Sequence, residues 1–176
     1  MIINFVTGNK NKYDEVVKLL PDYQINQINI DLVEIQGTPN EIIDAKIQDA
    51  INKGIKTPFL VEDTSLYFDA LNGLPGPYIK HFCKSIGSRG LYNLLSNHNI
   101  KTAKACCYVG YYDGKKQYKS HGSIKGTIVE PRGDNTFSWD NIFVPNNYSN
   151  TFAELGDEKI MISHRAKSIE KIKPFL

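Results

Sequence analysis

The chain lacks the features that mark secreted, membrane-spanning and strongly charged proteins. It has three cysteines among 176 residues, Cys83, Cys106 and Cys107. An odd number with one adjacent pair fits neither a disulfide framework nor the C-x-x-C spacing of a zinc site. No apolar run approaches the roughly 20 residues that cross a bilayer. The formal net charge is only +2, whereas nucleic-acid binders usually carry a strongly basic face. We therefore expect no membrane and no nucleic-acid partner.

The length and composition favour one compact domain. With 176 residues, 41% of them hydrophobic and 23% charged, the chain is large enough to bury roughly 70% of its unfolded surface. It contains no internal repeat and no linker-like tract, so we predict a single domain over residues 1–176. The sequence opens on a strand-like run without a basic leader, which together with the cysteine pattern predicts a cytoplasmic protein.

Strand-like and helix-like segments alternate along the chain. Strands are predicted at residues 2–7, 24–31 and 59–65, followed by a hairpin of 102–112 and 115–123 around Asp113-Gly114. Helices are predicted at 10–20, at 40–53 with Asn40 as its cap, near 78–85 and 88–95, and from 157 onward. Residues 126–150 predict a long loop with strand fragments. This order predicts an α/β fold in which helices flank a mixed sheet.

The first predicted strand ends in "TGNKNK", residues 7–12. Gly8 permits a tight turn into the next helix, and Asn9 is a suitable cap for it. The free N–H groups of the helix's first turn, with Lys10 and Lys12 beside them, would attract an anion such as a phosphate. The alternative is a purely structural cap, because such strand–turn–helix openings are common without any ligand.

Two adjacent acids stand in an otherwise apolar strand, "FLVEDTSLYF", residues 59–68. An unpaired buried carboxylate costs several kcal/mol or takes up a proton. At the carboxyl end of a strand, Glu62 and Asp63 would reach the crevice where open α/β sheets bind ligands. Successive strand residues point to opposite faces, so only one acid need enter the site. Mg²⁺ takes carboxylate oxygens and phosphates as ligands, and Glu34 is a candidate third acid. The alternative is one solvated acid and one that caps a turn.

Three further segments could carry either function or structure. Lys46 lies at the border of a helical apolar stripe, where a simple pairing with Asp49 is the structural alternative. In "FSWD", residues 137–140, Phe137 and Trp139 could stack on a base or form a small core under a loop. The segment "EKIMISHR", residues 158–165, gathers cations and hydrogen-bonding groups, and an ordinary solvated helix face is its alternative.

Taken together, these segments resemble the inosine triphosphate pyrophosphatases, enzymes that clear deaminated purine nucleotides. The strings "FVTGNKNK", "VEDTSL", "GLPGPYIK", "PRG", "FSWD" and "SHR" occur in that family's order and spacing. The resemblance covers essentially the whole chain, and "GLPGPYIK" is similar to the form in eukaryotic and archaeal-type members. It implies a long mixed sheet flanked by helices, two lobes with the substrate cleft between them, and a homodimer.

The resemblance also implies a role for each matching residue. Asp63 would be the base for the attacking water and, with Glu34, a ligand of Mg²⁺ (Mn²⁺ being the alternative ion). Glu62 and Lys12 would support the chemistry. The implied contacts to the nucleoside triphosphate are Thr7, Gly8, Asn9, Lys10, Lys12, Lys46, Thr64, Lys80, Phe137, Trp139, Asp140, Lys159, Ser163, His164 and Arg165.

The base-binding loop departs from the family pattern at two positions. Ser138 stands where the family usually has Gly, and Asn141 stands where it usually has Pro. A glycine there would permit a positive φ, which costs a residue with a Cβ about 1 kcal/mol.

The resemblance also implies how the base is selected. Arg165 and His164 are hydrogen-bond donors, so they would match the C6 keto oxygen of hypoxanthine or xanthine and oppose the amino group of adenine.

Two other functions remain as alternatives. A pyrophosphatase of the related Maf type would act on other aberrant nucleotides, including pyrimidines. A nucleotide-binding module without turnover is the second alternative, although the presence of Lys12, Glu34 and Asp63 argues against it.

Overall fold

A computed structural model gives the structure of residues 1–134 and 137–176. Within these residues seven strands form one sheet. The strands are β1 (Ile2–Val6), β2 (Gln24–Ile28), β3 (Phe59–Phe68), β4 (Pro75–Gly76), β5 (Thr102–Tyr112), β6 (Gln117–Ile128) and β7 (Phe143–Pro145). The helices are α1 (Lys10–Leu19), α2 (Pro39–Asn52), α3 (Ile79–Asn93), α4 (Phe152–Leu155), α5 (Asp157–Ile162) and α6 (His164–Ile172).

The sheet is open and mixed, as the alternation of segments predicts. Its strand order is β2-β1-β3-β5-β6-β7, and β4 pairs with β3 off this path. β1 runs parallel to both β2 and β3, whereas β4 is antiparallel to β3 and β7 is antiparallel to β6. The two β1–β3 register pairs are Asn4 with Phe59 and Phe5 with Leu60. Val61 follows this paired stretch, and Glu62 and Asp63 come next, beyond the level at which β1 ends.

The chain divides into two compact units, and neither is a continuous stretch. Unit 1 contains residues 1–63, 107–122 and 164–176, and unit 2 contains residues 64–106 and 123–163. Unit 1 has two apolar clusters. In the first, α1 and α6 pack around Phe5 and Leu60. In the second, α2 contributes Ile43, which packs with Val61 of β3. In unit 2 the core is aromatic and includes Phe68, Trp139, Phe143 and Phe152. Burying such a side chain contributes about 1.5–3 kcal/mol.

Several predicted boundaries are wrong, each for a local reason. β3 continues to Phe68 instead of ending at residue 65, so its two acids lie within the strand and not at its end. Thr38, not Asn40, caps α2, because Thr38 and Glu41 form a reciprocal capping box and Pro39 occupies the first turn. β6 extends to Ile128, and the last predicted helix is divided at Ser163 into α5 and α6.

Other local predictions are confirmed. Asn9 caps α1 and accepts a hydrogen bond from the backbone N–H of Lys12. The two helices predicted near residues 78–95 correspond to α3, which is interrupted at Gly87, where φ is +65°. β4 and α4 were not expected, because two or four residues are too short to show a hydrophobic period.

Gly122 lies in β6, where the backbone of α6 comes close to the strand. A Cβ atom at this position would stand 2.2 Å from the carbonyl oxygen of His164 and 2.5 Å from the amide nitrogen of Ser168. Both neighbours are backbone atoms of α6, so no side chain can swing aside to make room. Only glycine permits this approach.

Within the described ranges, no helix has both the length and the apolar character that crossing a bilayer requires.

Candidate active site

The turn before α1 presents backbone N–H groups in a fixed arrangement. Asn9 Oδ1 accepts from the Lys12 amide at 3.1 Å, and Thr7 Oγ1 accepts from the Asn9 amide at 3.1 Å. At Gly8 a Cβ would lie 3.2 Å from Asn29 Oδ1, so the turn has little space for a side chain. Lys10 is exposed and pairs with Asp14. The helix N-terminus thus has the character of an anion site.

Glu62 is buried and receives two cations in unit 1. Its Oε1 lies 3.0 Å from Lys12 Nζ. Arg165 forms a fork on it, with Nε donating to Oε2 at 2.6 Å and Nη2 donating to Oε1 at 2.9 Å. Burial alone would raise the pKa of Glu62, but the charges of Arg165 and Lys12 outweigh burial and hold the pKa well below the ordinary 4.5. Glu62 is therefore an anion at neutral pH.

Arg165 is itself buried, with 1% of its surface exposed. Its Nη1 donates to Glu15 Oε2 on α1, in addition to the fork on Glu62. Three of its N–H donors thus go to carboxylates, which ties α6, β3 and α1 together. These contacts hold Glu62 and Glu15 in place, so Arg165 acts here as a positioning residue. Whether Arg165 also donates to a purine base stays a prediction.

Asp63, the next residue of β3, has a different cation. Lys46 Nζ on α2 lies 2.9 Å from Asp63 Oδ1 and 3.2 Å from Glu34 Oε1. It also donates to the Glu62 carbonyl oxygen at 3.0 Å. Burial alone would lower the pKa of Lys46, but Asp63 and Glu34 outweigh it and raise the pKa above its ordinary value. The expected alternative, a pairing of Lys46 with Asp49, is wrong, because Asp49 pairs with Lys53 instead.

The two neighbouring acids therefore pair with cations from different helices. Glu62 has Lys12 and Arg165, whereas Asp63 has Lys46. This separation confirms the alternation expected of consecutive strand residues. The second oxygen of Asp63, Oδ2, is buried and has no hydrogen-bond partner among the described residues. Asp63 is thus held at one oxygen only.

A second charged pair lies in unit 2, beside an aromatic ring. Lys159 Nζ on α5 is 2.5 Å from Asp140 Oδ2, and both side chains are almost fully buried. The same ammonium lies over the ring of Phe137, 5.0 Å from its centroid, and over Phe152 at 5.5 Å. A desolvated cation over a ring gains about 2 kcal/mol. The alternative of a solvated helix face is wrong for Lys159.

Trp139 belongs to the apolar core of unit 2. It is 3% exposed and packs edge-on against Phe143, with ring centroids 5.5 Å apart. The small core under the loop is therefore the reading that fits Trp139, whereas Phe137 is partly exposed. Between them Ser138 has φ +56°, the left-handed conformation that a glycine would adopt freely. Its Oγ lies 3.4 Å from Cys83 Sγ.

The positions of the remaining candidate residues do not by themselves indicate a role. Thr64 follows Asp63 in β3 and is half-buried, and Lys80 is exposed in the first turn of α3. Ser163 and His164 are buried at the junction of α5 and α6. The Ser163 amide donates to the Lys159 carbonyl oxygen at 3.0 Å, which ends α5.

Known proteins similar to this chain cover it from end to end. The model of the Ham1 family matches residues 3–175. This chain belongs to the Ham1 family. Two relatives, both named inosine triphosphate pyrophosphatase, are 43% identical in Schizosaccharomyces pombe and 46% identical in Neurospora crassa. The first alignment covers 99% of this chain and 94% of its relative, and the second covers 98% and 91%.

A solved structure shares the fold of this Ham1-family chain. The Ham1 protein of Staphylococcus aureus superposes with a TM-score of 0.83 at 27% identity, over 99% of this chain and 97% of that one. The similarity includes the open mixed sheet and its flanking helices, so the predicted fold class is confirmed.

The Ham1 family implies a divalent metal ion, and two carboxylates of this chain fit one. Glu34 and Asp63 approach the same ammonium, and the Asp63 Oδ2 atom is buried without a hydrogen-bond partner among the described residues. Within residues 1–134 and 137–176, no group of three or more His, Cys, Asp and Glu side chains could hold a metal. Two carboxylates suffice for Mg²⁺ when substrate phosphates and water supply its other ligands.

Glu15 is a buried neighbour of the candidate site that sequence patterns do not reveal. It is 7% exposed and pairs with Arg165. In "DEVV", Glu15 directly precedes Val16, which is buried on α1. A glutamate beside an apolar stripe usually lies at the solvent border, so its sequence gave no reason to bury it.

Proposed function

We propose that this chain is an inosine triphosphate pyrophosphatase. It hydrolyses ITP, dITP and XTP to the nucleoside monophosphate and pyrophosphate, and so removes deaminated purines from the nucleotide pool. Whole-chain similarity to relatives of that name supports the proposal. The observation that carries it is the state of Asp63, a buried carboxylate with one oxygen fixed by Lys46 and the other without a partner among the described residues.

The reaction requires a water molecule aimed at the α-phosphorus. The new bond joins the water oxygen to this phosphorus, and the bond to the α–β bridging oxygen breaks. Pyrophosphate leaves with the bridging oxygen, and the proton of the water passes to Asp63. The unpartnered Oδ2 atom is the natural acceptor, because Oδ1 already accepts from Lys46. Glu62 does not take this proton, since its pKa is held well below the ordinary value.

In unit 1, the turn at Thr7–Lys12 is proposed to hold the triphosphate. The first-turn N–H groups of α1 and the side chains of Lys10 and Lys12 attract its oxygens. Lys12 is held by Glu62, which in turn is held by Arg165. Glu62 and Arg165 thereby position a phosphate-binding lysine. Lys46 and, in unit 2, Lys80 would add positive charge.

Mg²⁺ is the proposed metal, bound by Glu34 and Asp63 with nucleotide phosphates as its other ligands. When bound, it withdraws charge from the phosphate oxygens and from the leaving pyrophosphate. Mn²⁺ is the expected substitute, because it also accepts carboxylate and phosphate oxygens.

In unit 2, Phe137, Asp140 and Lys159 are proposed to bind the base. Phe137 offers a partly exposed ring for stacking. The Lys159 side chain is a hydrogen-bond donor and suits the C6 keto oxygen of hypoxanthine or xanthine. Adenine carries an amino donor at that position, and a buried donor without an acceptor costs roughly 1–3 kcal/mol. His164 and Arg165 in unit 1, with Ser163 and Thr64 in unit 2, stay candidate contacts.

A homodimer in the cytoplasm is the proposed setting. The homodimer follows from the family resemblance. The cysteines Cys83, Cys106 and Cys107 are free thiols, as in proteins of a reducing compartment.

Product analysis with purified protein tests the proposal. With Mg²⁺, ITP, dITP and XTP should give monophosphate and pyrophosphate, GTP should react poorly and ATP very poorly. A chelator should abolish turnover, Mg²⁺ should restore it, and Ca²⁺ should restore it poorly because of its larger radius and looser geometry. Release of orthophosphate, or equal turnover of ITP and ATP, would overturn the proposal. Preference for a modified pyrimidine triphosphate would favour the Maf-type activity instead.

A further inference from the structure

Lys46 pairs with both acids that would bind the metal. Its side chain is buried, and its ammonium has three N–H donors. Three oxygens lie within hydrogen-bonding distance of Nζ, namely Asp63 Oδ1 at 2.9 Å, the Glu62 carbonyl at 3.0 Å and Glu34 Oε1 at 3.2 Å. Each donor therefore has an acceptor. The ammonium is held as a metal ion would be held, by a carbonyl and two carboxylates.

A divalent ion that uses both carboxylates must compete with this ammonium. Mg²⁺ and Mn²⁺ need carboxylate oxygens at short distance and in a strict geometry. Lys46 Nζ lies within 3.2 Å of one oxygen from each acid. An ion shared by these oxygens would either occupy the place of the ammonium or face its full positive charge a few ångströms away, and both are unfavourable.

The charges of the three side chains explain why the group is stable without a metal ion and can still bind one. Glu34 and Asp63 carry two negative charges and Lys46 carries one positive charge, so the group retains one net negative charge. A triphosphate offers further anionic oxygens to which the ammonium can turn. Both carboxylates would then be available to the metal.

We propose that Lys46 is the resident cation of the Glu34–Asp63 pair, so that the nucleotide-free enzyme binds a divalent metal weakly and takes it up together with the triphosphate. Lys46 thus sets the order in which metal and nucleotide bind. This inference rests on the proposed function, since it concerns the metal and substrate of that reaction.

The experiment measures Mn²⁺ binding to the nucleotide-free protein, with the free ion followed by electron paramagnetic resonance. The wild type should show no saturation in the micromolar range. Lys46→Met removes the ammonium and keeps much of its volume, so its Mn²⁺ affinity should rise at least about tenfold. Lys46→Arg keeps the charge and should not show this gain. Lys53→Met is the matched control, because Lys53 directly follows the same helix and pairs with a single half-buried acid, Asp49.

Thermal unfolding gives a second measurement, which can be made even if the variant is less stable than the wild type. Lys46→Met leaves two acids without their ammonium, so its melting temperature should fall in chelator. Millimolar Mn²⁺ should then raise the melting temperature of the variant more than it raises the melting temperature of the wild type, because a ligand stabilises the folded state that binds it. Lys46→Gln should behave in the same way.

Two results would overturn the inference. One is micromolar Mn²⁺ binding by the nucleotide-free wild type, a measurement that needs no variant. The other is a folded Lys46→Met protein that binds Mn²⁺ no more tightly than the wild type. ITP hydrolysis, measured separately on the wild type, tells the two proposals apart. A wild type that hydrolyses ITP while Lys46→Met gains no Mn²⁺ affinity would refute the role of Lys46 and leave the proposed function standing.

Discussion

Replacement of Arg165 by methionine tests the buried charges of unit 1 most directly. Arg165 is 1% exposed and donates to Glu62 through two N–H groups and to Glu15 through a third. Methionine fills similar space and carries no charge. It would leave Glu15 without the guanidinium and Glu62 with Lys12 as its remaining cation. Breaking a buried ion pair by removal of one partner costs about 3–5 kcal/mol.

The expected loss can be measured by urea or thermal unfolding. For a chain of this size 1 kcal/mol corresponds to about 2–4 °C, so Arg165→Met should lower the melting temperature by about 6–20 °C. The control is Arg89→Met, which removes an arginine paired with Glu130 at 2.6 Å between side chains that are more than half exposed. Surface pairs contribute about 0–1 kcal/mol. Equal losses in the two variants would refute the structural role of Arg165.

The pH dependence of the same variant gives a second check. Without the guanidinium, the pKa of buried Glu62 should rise, and protonation then removes the unfavourable charge. The difference in stability between wild type and Arg165→Met should therefore narrow as the pH falls from 7 towards 5. A difference that stays constant would mean that Glu62 does not depend on Arg165.

Kinetics separate the two roles considered for Arg165. If it positions Glu62 and Lys12, then kcat/KM should fall alike for ITP and ATP in Arg165→Met. If it donates to the base, the ratio of the two values should change instead. The contacts with Glu62 and Glu15 favour the first result.

Three further predictions follow from single residues. Asp63→Asn should leave the fold intact and lower kcat for ITP by about 10²-fold or more, the scale of a lost general base, and unchanged turnover would remove Asp63 from the chemistry. Ser138→Val should destabilise the protein by about 1–2 kcal/mol more than Ser138→Gly in urea unfolding, because a β-branched residue resists φ +56°, and equal stabilities would contradict this. The pKa of Glu62 is lower in the folded than in the unfolded state. Its stabilising contribution is therefore complete above about pH 4.5 and is lost as the pH falls from there through the folded-state pKa, so acid unfolding should be less steep in Glu62→Gln.

The sequence predicts the fold class and most elements of unit 1 because their signals are local. Asn9 as a cap, the apolar run of β3 and the hairpin at Asp113-Gly114 each depend on a few neighbouring residues. The failures have a common origin in contacts that are distant in the chain. The pairing of Lys46 with Asp49 is the choice that local spacing favours, whereas Asp63 is its partner across 17 positions. Arg165 and Glu15 are separated by 150 positions, and no periodicity reports such a pairing.

Residue 138 shows how a departure from a family pattern can be informative. The resemblance to the inosine triphosphate pyrophosphatases implies a glycine there, and Ser138 has the positive φ that a glycine would adopt freely. The sequence could not reveal that Cys83 Sγ lies 3.4 Å from the serine hydroxyl, because the two residues are 55 positions apart. For Trp139 the sequence left base stacking and core packing open, and only its burial against Phe143 decides for the core.

The close approach at Gly122 has a consequence for how inherited variants of this chain would be interpreted. Gly122 carries no functional group, yet it determines how near α6 lies to the sheet, and α6 carries Arg165. An alanine there would push against the backbone of His164 and Ser168 and displace the guanidinium from Glu62. The Gly122→Ala protein would then show the enzymatic defect of an Arg165 variant, although every residue proposed to contact the nucleotide is intact. Genetic screening that weighs substitutions by their chemistry would pass over it as benign.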